Sequence, residues 1–177
     1  MEQSKKILFV VANEGFQQTE YHTPKKIVEQ AGFTVTTASD KLSPAIAKDG
    51  STVPVDVLLN QVNPKQYAGI FFIGGPGALE HLDNEASYKL LKNSAHAEIP
   101  IGGICLATRI LVNAGVLDEK KATGYNNDNK LEELFKKHTI QYVHQPVVID
   151  ENIITAIDQN TAVEFGNAIV KVINQNK

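Results

Sequence analysis

The chain has 177 residues, 42% hydrophobic and 21% charged, with a net charge of −3 and a pI of about 5.9. These values suit a single soluble domain, residues 1–177, with a sizeable core, and they argue against nucleic acid or an anionic membrane as partner. The only cysteine, Cys105, excludes an intrachain disulfide and fits a reducing, cytoplasmic setting, and no apolar run reaches the length of a transmembrane helix.

Strand and helix signals alternate along the chain, which predicts an α/β fold with a mainly parallel central sheet. The first apolar run, Ile7 to Ala12, is too short for the core of a signal peptide and reads as a buried strand within "KILFVVA". A helix is expected from about Thr23-Pro24, with Pro24 in its first turn, to a stop at Gly32. The strand "FTVTTAS" follows, then a hairpin around Asp49-Gly50 and the doubly apolar strand "AGIFFIG". A helix over roughly Asn84–Ala95 leads to a strand at Ile99–Ile104 and a helix from Leu106 to Ala114, closed by Gly115. A short helix near Asn129–Lys137 precedes strands at Gln141–Ile149 and Asn152–Ile157. The last helix is expected to open on a capping box, Thr161 to Glu164, and to turn Ala162, Phe165, Ile169 and Val172 to the sheet.

Three turns carry the residues suited to chemistry. Gly103-Ile104-Cys105-Leu106-Ala107 has the small-x-Cys-x-small pattern of a nucleophile elbow, where a bulky side chain two positions either way would collide with the turn. Such a turn aims a helix end and backbone N–H groups at the sulfur, which predicts a lowered thiol pKa and makes the Leu106 N–H half of an oxyanion hole. The same pattern also suits a buried cysteine acting as a small hydrophobe. Ile73-Gly74-Gly75-Pro76-Gly77 follows an apolar strand at the same sheet edge, where α/β folds bind ligands. Gly75 there is the second candidate donor; the turn lacks the spacing of a phosphate loop. The third turn, Asn13 to Glu20, offers carboxyls that a partly apolar pocket would keep protonated and fit for general acid–base work.

Of the five histidines, His22 is placed at the site rim and His144 where a third catalytic group would sit. His81, His96 and His138 read as helix or loop surface. Their spacing matches no metal motif, so neither metal nor cofactor is expected. Arg109, one turn beyond Cys105, reads as a solvated helix position, with the pocket or a subunit partner as the alternatives.

Taken together, "ILFVVANEGFQQTEYHTPKKIVEQAGFTVTTAS", "GIFFIGGPGA", "IGGICLATRILVNAGVLDEKKATGY" and "NIITAIDQNTAVEFGNAIVKVI" resemble, in order and spacing, the DJ-1/ThiJ/PfpI superfamily of class I glutamine amidotransferase-like proteins. The resemblance covers essentially the whole chain and implies a flavodoxin-like three-layer sandwich and a homodimer. It implies that Cys105 is the nucleophile or a redox-sensitive thiol and that Glu20, not Glu14, is its protonated partner. Gly75 and Leu106 would offer backbone N–H groups, and Tyr125 would stand near the pocket.

Three activities follow from the resemblance. The first is conversion of small reactive carbonyls such as methylglyoxal to hydroxy acids, of glyoxalase or deglycase type. The second is redox sensing in an oxidative-stress response, through oxidation of the cysteine to a sulfinate. The third is amidase or peptidase activity. Two departures bear on these. Peptidase-like members carry a histidine directly after the cysteine where this chain has Leu106, and the turn Ala156 to Asn160 lacks the arginine of members closest to DJ-1.

Overall fold

The computed structural model describes residues 5–176. In chain order the first half holds β1 (Lys6–Val10), β2 (Glu14–Phe16), α1 (Gln18–Gln30), β3 (Thr34–Ser39), β4 (Ala45–Ala47), β5 (Thr52–Val53), β6 (Val57–Leu58), β7 (Gly69–Phe72), α2 (Ala78–Leu82) and α3 (Glu85–His96). The second half holds β8 (Ile101–Ile104), α4 (Ala107–Asn113), β9 (Lys121–Ala122), α5 (Leu131–Lys137), β10 (Gln141–Tyr142), β11 (Val147–Asp150), β12 (Ile153–Ala156) and α6 (Ala162–Gln175).

Seven strands form the central sheet in the order β11-β12-β8-β7-β1-β3-β6. Its pairs are parallel except β11 with β12. The pleat divides β1 between two cores. Leu8 and Val10 join Ile70, Phe72, Leu91, Ile110, Leu111 and Phe135 beneath α3, α4 and α5, whereas Ile7 and Phe9 join Phe71, Val28, Phe165, Ile169 and Val172 beneath α1 and α6. Successive side chains of a strand point to opposite faces, so a run apolar at every position needs a cover on both. The result is a mainly parallel, flavodoxin-like three-layer sandwich. Ala162, Phe165, Ile169 and Val172 are all buried, as their spacing predicts. Among the described residues no helix is long and apolar enough to cross a membrane.

Several boundaries differ from expectation. α1 begins at Gln18, five residues before the expected start, because Gln17 caps it: its side chain accepts from the Thr19 N–H at 2.6 Å. The Gln17 N–H in turn donates to the Gly74 carbonyl at 2.9 Å, which ties the helix start to the glycine turn. Pro24 therefore lies inside the helix, buried against Gly166 of α6. The expected strand Gln141–Ile149 is two strands, β10 and β11, separated at residues 143–146, which end in Pro146, since proline cannot donate to a ladder. The capping box sits three residues earlier than expected. Asp158 and Thr161 form it around a short 3-10 turn, and the Thr161 hydroxyl, bonded to the Asp158 backbone, does not cap α6.

The chain moves from β1 to β3 and β6, then returns to the other side of β1 for β7, β8 and β12. The switch point lies between β1 and β7, and ligand sites of open α/β sheets form there, beyond the carboxyl ends of the strands. The segments leaving β1, β7 and β8 at that edge carry Glu20, the glycine turn and Cys105.

Candidate functional site

Cys105 follows the last residue of β8 with a φ of +61°, a left-handed conformation costly for a residue with a side chain. Three hydrogen bonds hold the turn. The Cys105 N–H donates to the Ala156 carbonyl at 3.0 Å, and the Cys105 carbonyl accepts from Thr108 at 3.3 Å and Tyr125 at 3.4 Å. The small flanking residues do what the pattern required: a Cβ on Gly103 would stand 3.0 Å from Leu111 Cδ1 and 3.2 Å from the Ala107 backbone.

Gly74 is the meeting point of the site. A Cβ there would stand 2.6 Å from Glu20 Oε2, 2.7 Å from Cys105 Cβ and 2.7 Å from the Ile104 carbonyl oxygen. The acid and the cysteine thus approach each other across a backbone that tolerates no side chain. Replacing Gly74 with alanine is expected to cost about 1–3 kcal/mol of stability by overpacking and to separate the pair. Thermal unfolding together with turnover checks this; an unaltered melting point and rate would refute it. A Cβ on Gly75, which has a φ of +124°, would meet the backbone of Gly15, Phe16 and Gln17 instead.

Glu20 lies in the first turn of α1 with none of its surface exposed. Neither carboxyl oxygen makes a hydrogen bond of full geometry. Burial raises its pKa to about 8, partly offset by the adjacent Cys105 side chain and the Gly74 backbone. The carboxyl is therefore held mainly protonated at neutral pH. The thiol departs from expectation, because its pKa is pushed up rather than down. Burial is the main cause and the negative charge of an ionised Glu20 the next; the Leu106 N–H opposes them without prevailing. The physical reason is that Cys105 is only 7% exposed among apolar neighbours, while α4 behind it has only seven residues. Asp158, in the turn after β12, adds further negative potential at both groups. It was not singled out from the sequence; its place two residues past β12, at the same sheet edge, was the available signal.

The fold that brings the buried acid and the cysteine to the switch point is shared with proteins of known structure. The sequence model of the DJ-1/PfpI family matches residues 5–172. The chain belongs to the DJ-1/PfpI family. An uncharacterised protein of Methanocaldococcus jannaschii is 33% identical over 172 residues, 97% of this chain and 83% of that one. An uncharacterised protein of Staphylococcus aureus is 30% identical, over 95% of this chain and 98% of its own. The crystal structure of a ThiJ/PfpI domain protein from Brachyspira murdochii superposes with a TM-score of 0.92 at 28% identity, covering 98% of this chain and 99% of that one. Drosophila melanogaster DJ-1beta shares the fold, with a TM-score of 0.85 at 24% identity over 97% of this chain and 95% of its own.

In this DJ-1/PfpI protein the remaining candidates fall into two groups. Tyr125 is half-buried and packs on the apolar cluster that includes Cys105, and its N–H reaches the Cys105 carbonyl. His22 and His144 are exposed; their rings lie against Tyr21 and Tyr142, and no hydrogen bond or ring contact joins either to Cys105. His81 is not plain surface: its Nδ1 lies 2.8 Å from Asp40 Oδ2 in a half-buried pair. Arg109 is not solvated either. It is 7% exposed and bonds the Tyr125 carbonyl and Asp128, contacts too distant in sequence to read from helical position.

Proposed function

We propose that this DJ-1/PfpI protein carries out cysteine chemistry on small reactive carbonyls, converting an α-oxoaldehyde such as methylglyoxal to the corresponding 2-hydroxy acid. One observation carries the reading: a fully buried carboxyl with a pKa of about 8 lies beside Cys105 across Gly74. A carboxyl with that pKa exchanges protons near neutrality and serves as both acid and base. Both charged groups acting on the thiol, Glu20 and Asp158, are acids, which favours a neutral substrate over a carboxylate-bearing one.

The steps use only these groups, the aldehyde and water. The ionised fraction of Glu20, about one in ten at pH 7, takes the thiol proton as sulfur attacks the aldehyde carbon. The oxyanion forms near the Leu106 N–H and receives that proton, giving a hemithioacetal. Glu20, again a carboxylate, removes the hydrogen from the former aldehyde carbon to give an enediol and returns it to the neighbouring carbon. The product of that transfer is a 2-hydroxy thioester, which water cleaves to the hydroxy acid and free Cys105. The first carbon is oxidised and the second reduced, so no external redox partner enters.

The amidase reading lacks a histidine joined to Cys105 by hydrogen bond among the described residues. Incubation with methylglyoxal in the absence of glutathione, followed by NMR, is expected to show the 2-hydroxy acid; no product would end the proposal. Because the base is the Glu20 carboxylate, kcat/KM is expected to rise with pH through a midpoint near 8 and then level off. A profile that is flat, or falls, between pH 6 and 9 would contradict Glu20 as the base.

A further inference from the structure

Arg109 is the chain's only arginine, and it is 7% exposed on α4, one helical turn beyond Cys105. Burying a guanidinium is costly unless its donors find partners. Its Nη2 donates to the Tyr125 carbonyl at 3.2 Å and to Asp128 Oδ1 at 2.6 Å, while its buried Nε has none. The cation is thus directed at the loop between β9 and α5, and it is kept there despite an orphaned donor. Tyr125, at the head of that loop, packs on the cluster that contains Cys105 and makes a long 3.4 Å hydrogen bond to the Cys105 carbonyl. Other bonds hold the two ends of the loop: the Thr123 N–H donates to Thr155 Oγ1 of β12, the Asn129 N–H to the Asn126 carbonyl, and toward α5 Asn126 Oδ1 accepts from the Leu131 N–H and Asp128 Oδ1 from the Lys130 N–H.

We propose that Arg109 is a positioning residue that pins Tyr125 against Cys105 and so sets how readily a small electrophile reaches the sulfur. The same helix carries the cation and follows the elbow, so loop and sulfur are held in one frame by a short, charge-assisted link. Asp128 is the outer half of the clamp. Its carboxyl is held below the usual range, chiefly by the hydrogen bond from Arg109, so it stays ionised wherever the protein works. The proposal rests on Cys105 as the reacting group of the reading above and on no particular carbonyl.

Because Cys105 is the only thiol, its alkylation by iodoacetamide reads access at one site without any turnover. The variants are Arg109→Gln, Arg109→Lys and Asp128→Asn, the last altering a partly exposed side chain and leaving the core intact. Arg109→Gln and Asp128→Asn are expected to alkylate about tenfold faster, the effect of losing one charge-assisted hydrogen bond that closes a loop. Arg109→Lys should fall between them and the parent protein. The midpoint of the alkylation pH profile should not move, and KM for methylglyoxal should rise more than kcat falls. Unchanged alkylation in folded Asp128→Asn and Arg109→Lys would overturn the proposal. So would a faster rate explained wholly by a shifted midpoint, since that change would lie in thiol ionisation and not in access. If the protein turns over no aldehyde, the alkylation rates still decide the role of Arg109 by themselves.

Discussion

Cys105→Ala is expected to lower kcat/KM for methylglyoxal by more than about 1,000-fold, the scale of removing a covalent nucleophile. No other thiol exists in the chain to substitute for it. The fold should persist. The substitution deletes one heavy atom from a nearly buried position, and the turn is held by backbone bonds to Ala156, Thr108 and Tyr125 that alanine keeps. Alanine adopts the φ of +61° at about the same cost as cysteine, so little new strain enters. Circular dichroism and the melting point should therefore stay close to those of the parent while product formation disappears. Undiminished turnover in the variant would remove the cysteine from the chemistry altogether.

Glu20→Gln should remove a pH-dependent loss of stability and lower activity at once. The folded carboxyl has its pKa raised from 4.5 to about 8. Between those values the folded state binds the proton and the unfolded state does not, so stability falls by about 1.4 kcal/mol for each pH unit gained. Below 4.5 both states are protonated, and above about 8 both are ionised, so neither range adds further dependence. Glutamine cannot ionise and escapes this loss, so the stability of the variant relative to the parent protein rises by about 3 kcal/mol between pH 4.5 and pH 7. A buried amide lacking partners would shift the variant's stability equally at every pH, so the measurement is the difference in slope. Urea unfolding of both proteins at pH 4.5, 6, 7 and 8 supplies it. Loss of the acid–base group should lower kcat/KM by about 100- to 10,000-fold. Parallel pH slopes in the two proteins would show that Glu20 is not held protonated by burial.

This pairing of a stability cost with a candidate catalytic group was only partly visible in the sequence. The small residues flanking Cys105 implied a tight strand-to-helix turn, because Cβ sterics are local and depend only on residue type. The doubly apolar runs implied a covered sheet for the same kind of reason. Choosing Glu20 over Glu14 needed the family resemblance, since both acids lie in the segment leaving the first strand. The start of α1 was misplaced because its cap is Gln17, whose own N–H is fixed by Gly74, a residue distant in sequence. The direction of the thiol shift was misjudged because it is set by burial and by Glu20, which outweigh a short helix end.

The sequence by itself determined the alternation of elements, the two-faced burial of β1 and β7, and the elbow at Cys105, because each follows from side-chain size and period along neighbouring residues. Tertiary structure alone decided that Gly74 brings Glu20 to Cys105, that Asp158 adds its charge there, and that Arg109 is buried against Tyr125 and Asp128. Those outcomes depend on desolvation and on distances between segments far apart in the chain, and neither quantity is defined until the sheet is assembled.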